Sequence, residues 1–137
     1  MSKRVSEFWQ KYKRLLLTHL ISLGVLMLGF LLCRYPFFGV HGMKEWPVDL
    51  FIVGIVALLI SLFARKQYAL WFTSVGYFIG FLSGVLFHTE GTDPGGGKTD
   101  NLWIIWTFTF LGCIVAGFLL EYVLKWRRML KNVNGTS

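Results

Sequence analysis

Two groups of residues in this 137-residue chain have types and spacings that could do chemistry. The first is Gly91-Thr92-Asp93-Pro94-Gly95-Gly96-Gly97-Lys98-Thr99, close to the phosphate-binding pattern G-x-x-x-x-G-K-[ST]. That pattern works because glycines let backbone N–H groups cradle phosphate oxygens, and it requires glycine at its first position, after a strand and within a sizeable α/β domain. Counting back from Gly97-Lys98-Thr99, the first position is Thr92, so nucleotide binding is rejected. The same stretch offers Glu90, Asp93, Asp100 and Asn101 around Gly95, Gly96 and Gly97, an oxygen-donor set of the kind calcium accepts. Its spacing differs from the EF-hand D-x-[DN]-x-[DN]-G-x₅-E. The expectation is therefore a solvated turn in which Pro94 and the glycines reverse the chain and the acids stay hydrated. A loop of this length, rimmed by His88 and Trp103, is still the most distinctive surface of the chain. These seven residues are its candidate functional outer loop.

The second group is the histidines and cysteines. His41 and His88 could meet with Glu90 in a metal site. His19 lies inside an apolar segment, where a hydrogen bond to a neighbouring helix is the expected use and a pH-sensing or passage-lining role the alternative. Cys33 and Cys113 form no C-x-x-C and fall at different depths of their segments, so neither a disulfide nor a zinc site is expected. There is no H-E-x-x-H and no G-x-S-x-G. No catalytic residue, cofactor or metal is assigned, and the protein is expected not to be an enzyme.

What must position these residues is an unusually apolar chain. Residues of the AVILMFWYC class make up 55% and charged residues 15%, with mean hydropathy +0.57, far from an average soluble domain. Four apolar runs stand out: residues 15–33, 48–64, 68–87 and 102–124. Each is long enough, or nearly so, to cross ~30 Å of hydrocarbon at ~1.5 Å per helical residue. No connecting stretch approaches the ~40 residues that a self-supporting domain needs. The expected fold is an all-α, polytopic membrane protein, one antiparallel bundle of four transmembrane helices over 1–137, with outer loops 34–47 and 88–101. The first run follows a basic start, as a secretory signal would, but it is too long and lacks a small-residue cleavage site. It is read as a retained span.

Charge gives the orientation. If the runs alternate, Lys3, Arg4, Lys11, Lys13, Arg14, Arg65, Lys66, Lys125, Arg127, Arg128 and Lys131 share one side, and only Arg34, Lys44 and Lys98 the other. The positive-inside rule then puts both termini in the cytoplasm. The net charge of +7 is thus an inner-face feature suited to anionic lipid headgroups, and nucleic-acid binding is not expected. Five tryptophans, Trp9, Trp46, Trp71, Trp103 and Trp126, fall at or beyond run ends, as interfacial belts do. A cage of Trp46, Trp103 and Trp106 is the less favoured use.

Arg65-Lys66-Gln67 is the only link between the second and third runs, so those two helices must form a tight hairpin. Along the third run Gly76, Gly80 and Gly84 recur every four residues, one helix-packing stripe where another backbone can approach closely. The fourth run and a second copy of the third are equally suitable partners for it. No Asp, Glu, Lys or Arg lies at mid-depth, which argues against a proton-coupled carrier. Glu121, four residues before Lys125, suggests an i,i+4 pair. Asp49 could cap the second helix or complement its dipole.

The block Gly80-Phe81 through Phe87, Glu90 to Gly97 and Asn101-Leu102-Trp103-Ile104-Ile105-Trp106 resembles one found in small uncharacterised four-helix membrane proteins of Gram-positive bacteria. That resemblance spans roughly the last three runs and implies a multi-pass cell-membrane protein with a role for the loop, without an assigned activity. The leading expectation is a non-enzymatic accessory or interaction subunit whose partners are the lipid bilayer and another protein or a second copy. The alternative is a small homo-oligomeric channel or transporter, holin-like variants included.

Overall fold

A computed structural model describes residues 3–135, with the side chains of Lys3, Arg4 and Asn134 outside the described residues. The elements are α1 (Lys3–Arg34), α2 (Phe38–His41), α3 (Trp46–Phe63), α4 (Gln67–Phe87), β1 (Glu90–Thr92), β2 (Lys98–Asp100) and α5 (Leu102–Asn134). The fold is all-helical apart from one two-stranded hairpin. Helices α1, α3, α4 and α5 are each long and apolar enough to cross a membrane.

Two of these helices outrun the apolar runs that announced them. Helix α1 has 32 residues and α5 has 33, or roughly 50 Å each at ~1.5 Å per residue. Residues 3–14 and 125–134 contain no glycine or proline and are rich in Lys and Arg, good helix formers that lose little rotamer freedom in a helix. Nothing stops the helix where hydrophobicity stops. Helix α3 begins two residues earlier than the apolar run, because Pro47 sits in its first turn, where its missing N–H costs nothing. Asp49 makes no side-chain cap, though it lies in that first turn and complements the dipole. The connection between α1 and α3 contains α2, which ends at Gly42 in a left-handed conformation, φ 64°, as glycine readily allows.

Helix α4 is the hub, touching α1, α3 and α5, and its most extensive face is shared with α5. Facing residues give the directions. Gly76 meets Cys113, Gly80 meets Trp106 and Phe110, and Gly84 meets Leu102, so α4 and α5 are antiparallel. Ser22 bonds the Leu70 carbonyl, and Gly29 faces Tyr77 and Phe78, so α1 and α4 run the same way. Gly54 of α3 meets Leu26, and Phe51 stacks on Phe30 at 4.5 Å, so α3 opposes α1. The chain therefore alternates up and down. One end collects the start of α1, the α3–α4 turn and the end of α5; the other collects α2 and the hairpin.

The glycine stripe is thus filled within the chain. A Cβ on Gly84 would lie 3.0 Å from the Leu102 carbonyl oxygen, and one on Gly80 2.9 Å from that of Trp106. Between these helices sits an aromatic centre of Tyr77, Phe81, Trp106 and Phe110, all essentially fully buried. Centroid separations of 5.1 to 5.5 Å and tilted-to-perpendicular planes are the edge-to-face geometry that ring quadrupoles favour. Trp106 donates its indole N–H to the Tyr77 carbonyl at 3.0 Å, and Tyr77 donates its hydroxyl to the Pro47 carbonyl at 2.8 Å. Outward faces are apolar: Phe63, Phe108 and Leu119 are exposed, with Phe63 at 85%.

Candidate functional site

At the hairpin end the glycine-rich loop closes on itself. Strands β1 and β2 pair antiparallel, Glu90 opposite Asp100, Gly91 opposite Thr99 and Thr92 opposite Lys98. Asp93 makes the turn: its Oδ1 accepts the Gly95 and Gly97 N–H groups at 2.8 Å each. Gly96 sits at φ 80°, a conformation that side chains disfavour. A Cβ on Gly97 would lie 3.0 Å from Asp93 Oδ2. Asn101 Oδ1 accepts the Thr89 N–H at 2.7 Å and Asp100 Oδ1 the Leu102 N–H at 2.8 Å. These oxygens tie the hairpin to the start of α5. Three of the four donor residues singled out as possible cation ligands spend an oxygen on backbone, and Glu90 faces Asp100, a like-charge pair that opposes pairing. Asp93→Ala is expected to leave the helices intact while raising hydrogen exchange and protease nicking between residues 92 and 98 about tenfold or more. Unchanged exchange in that segment would count against this turn.

The proposed grouping of His41, His88 and Glu90 does not assemble: among the described residues no three His, Cys, Asp or Glu side chains converge as a metal set would. Both His41 nitrogens are engaged. Nδ1 accepts the Met43 N–H at 3.0 Å, which leaves the proton on Nε2 for the Cys33 carbonyl at 2.8 Å. With Phe38, Phe81 and Trp106 around it at 5.9 to 6.0 Å, His41 locks α2 over the bundle mouth. Sequence reasoning missed this role, and the signal was faint: a histidine ahead of Gly42 in an aromatic-rich turn. His88 Nδ1 donates to the Val85 carbonyl at 2.7 Å.

The three tryptophans of the suggested cage separate. Trp106 turns inward. Trp46 and Trp103 meet edge to face at 5.0 Å and 74°, and the Trp46 indole N–H is donated to Thr107 Oγ1 at 3.1 Å. Trp103, 40% exposed, divides two open hollows. One, of about 460 Å³, is lined by Met43, Lys44, Glu45 and Trp46; the other, about 370 Å³, lies against the hairpin from Thr89 to Asn101. Arg34 braces the rim through the Lys44 carbonyl at 2.7 Å.

Deeper, the hydroxyls divide. Ser22 and Ser74 bond each other across α1 and α4, and each also reaches the Leu70 carbonyl at 3.0 Å. Thr18, Ser61 and Thr73 bond back within their own helices. So does His19, whose Nδ1 meets the Leu15 carbonyl at 2.8 Å instead of a neighbouring helix as expected. Its Nε2 is buried without a partner among the described residues, beside an apolar groove of about 240 Å³ between α1 and α3. Glu121 also departs from expectation. Its carboxylate accepts the Tyr68 N–H at 2.7 Å, neutralising the start of α4, which has no cap of its own; a carboxylate there suits the helix dipole. Glu121→Ala should cost about 1 kcal/mol of stability, and Glu121→Gln less, read by reversible melting in detergent.

The fold and this end define a class, a small bundle of four potentially membrane-crossing helices with an aromatic and hairpin rim. In comparisons with protein-family models, curated proteins and solved structures, nothing matches the chain.

Proposed function

We propose that the chain is an integral cell-membrane protein with both termini cytoplasmic, acting as a non-enzymatic accessory or interaction subunit through its outer rim. The observation that carries this reading is the rim of half-buried Trp46, exposed Trp103 and the exposed hairpin above a tightly packed aromatic interior. Exposed aromatic side chains beside fixed hollows are the anchors of protein interfaces, whereas the interior rings occupy the space a polar pathway would need. The membrane placement is supported by the apolar outward faces, which in water would form patches far larger than a monomer tolerates, and by the cation excess at the opposite end. The test is the mass of the tagged protein isolated in native nanodiscs. Expected is a stoichiometric complex with an unlike protein that dissociates in Trp103→Ala while the bundle stays folded. A lone monomer across several mild detergents would sink the proposal.

One observation favours a second reading, a small homo-oligomeric channel or transporter. The unpartnered His19 Nε2 at the α1–α3 groove would find a donor on a second copy or on a solute. A stable homo-oligomer whose proteoliposome flux is lost in His19→Leu would establish it; absence of flux from folded oligomers would remove it.

A further inference from the structure

At the end opposite the hairpin, Arg65 stands between two hollows. One, of about 140 Å³, is lined by Phe8, Lys11, Tyr12, Leu15, Arg65 and Gln67. The other, of about 170 Å³, brings Lys66, Lys125 and Arg128 to the other side of Arg65. Five cations from three separate segments thus converge. The one acid lining either hollow is Glu121, whose Oε1 is committed to the Tyr68 N–H, and among the described residues none of the five cations is in an ion pair with a carboxylate.

The backbone at Arg65 is a second, independent observation. The Lys66 N–H bonds the Ser61 carbonyl at 2.8 Å and the Arg65 N–H the Leu62 carbonyl at 3.1 Å. This is the paired closure of a helix end whose left-handed residue is usually glycine. Here it is Arg65, at φ 53°, the one non-glycine residue with positive φ among those described. Glycine would terminate α3 with less strain, so the arginine side chain has a use beyond ending the helix. The third observation is the apolar half of the first hollow. Phe8, Tyr12 and Leu15 continue into the exposed apolar face of α1 at Leu16 and Leu20, a path suited to a hydrocarbon chain and without use for a free anion.

We infer that this cleft binds the phosphate of an anionic phospholipid, with Lys11 and Arg65 on the phosphate oxygens and an acyl chain leaving past Tyr12 and Leu15 toward Leu16 and Leu20. Guanidinium matches phosphate in a bidentate way; Lys66, Lys125 and Arg128 add the surrounding field. The inference rests on the membrane reading above, with this end at the cytoplasmic headgroups.

The full chain is placed in nanodiscs of phosphatidylcholine with and without phosphatidylglycerol, and retained lipid is counted by native mass spectrometry. Entry into pure phosphatidylcholine discs reports the membrane reading alone. Expected is retained phosphatidylglycerol at a defined stoichiometry, weakened about fivefold by Lys11→Gln and at least as much by Arg65→Gln, since each cation near a membrane surface is worth about a factor of five. Lys98→Gln, with the same loss of charge at the other end, should leave retention unchanged. Arg65→Gly keeps the turn and relieves its strain, so it should melt no lower than the parent and still lose the lipid. A chain that enters the discs but retains phosphatidylglycerol equally in all variants overturns the site, as does equal weakening by Lys98→Gln. Inorganic phosphate that displaces the lipid at equal concentration overturns the lipid as ligand. Failure to enter phosphatidylcholine discs overturns the membrane reading and the site with it.

Discussion

Gly80→Ala is expected to destabilise the bundle by about 1–3 kcal/mol, the range of an overpacked core, although alanine is the better helix former. The added Cβ would meet Trp106 Cδ1 and the Trp106 carbonyl oxygen, both at 2.9 Å, and the Phe110 nitrogen at 3.2 Å. Two of those atoms are backbone of α5 and can yield only if the helices part. Gly24 and Gly112 are the controls. A Cβ there finds nothing within 4 Å, so alanine should be neutral or stabilising by up to about 1 kcal/mol. Gly76→Ala is as severe for a different reason: its Cβ would lie 2.5 Å from Cys113 Cβ. That clash is removable from the other side, so Gly76→Ala with Cys113→Gly should recover most of the loss, whereas no side-chain change on α5 rescues Gly80→Ala. Reversible unfolding in mixed micelles reads all five variants. Equal stability of Gly80→Ala and Gly112→Ala would mean that α4 and α5 do not meet along this stripe.

The second large effect is at Trp106. Trp106→Ala should cost about 3–5 kcal/mol. The cost comes from the void left among Tyr77, Phe81 and His41 and from the indole N–H lost to the Tyr77 carbonyl. Trp106→Phe keeps most of the ring contact and should cost less than half as much. Trp103→Ala, three residues away but on the exposed rim, should change melting little. A Trp103 variant that melts as low as Trp106→Ala would reverse the assignment of inner and outer rings.

Four helices were legible because an apolar run of that length has few other uses, and the glycine stripe because a four-residue period places Gly76, Gly80 and Gly84 on one face. Its partner was not legible. Spacing says that a backbone can come close, but the choice between α5 and another copy depends on shapes such as Cys113 fitting over Gly76. The full lengths of α1 and α5 were missed because hydropathy marks where hydrocarbon would end, while helices end where backbone chemistry stops them. The candidate loop was legible as a turn from Asp93-Pro94-Gly95; that Asp93, Asp100 and Asn101 would spend oxygens on backbone N–H groups needed their directions in space. His41 and Glu121 share that reason, since each acts through a partner distant in sequence or a carbonyl that no residue type announces.

Helix α4 is the hub, yet its largest partner, α5, follows it in the chain. During synthesis at ~5–20 residues per second, α4 is complete about 1–5 s before α5 has been made as far as Cys113 to cover Gly76, Gly80 and Gly84. Through that interval a ready-made groove lies open to any passing helix with a small or complementary face. The nascent chain is therefore most vulnerable to mispairing between the translation of Phe87 and that of Cys113, and the speed of synthesis across the hairpin sets how long that exposure lasts.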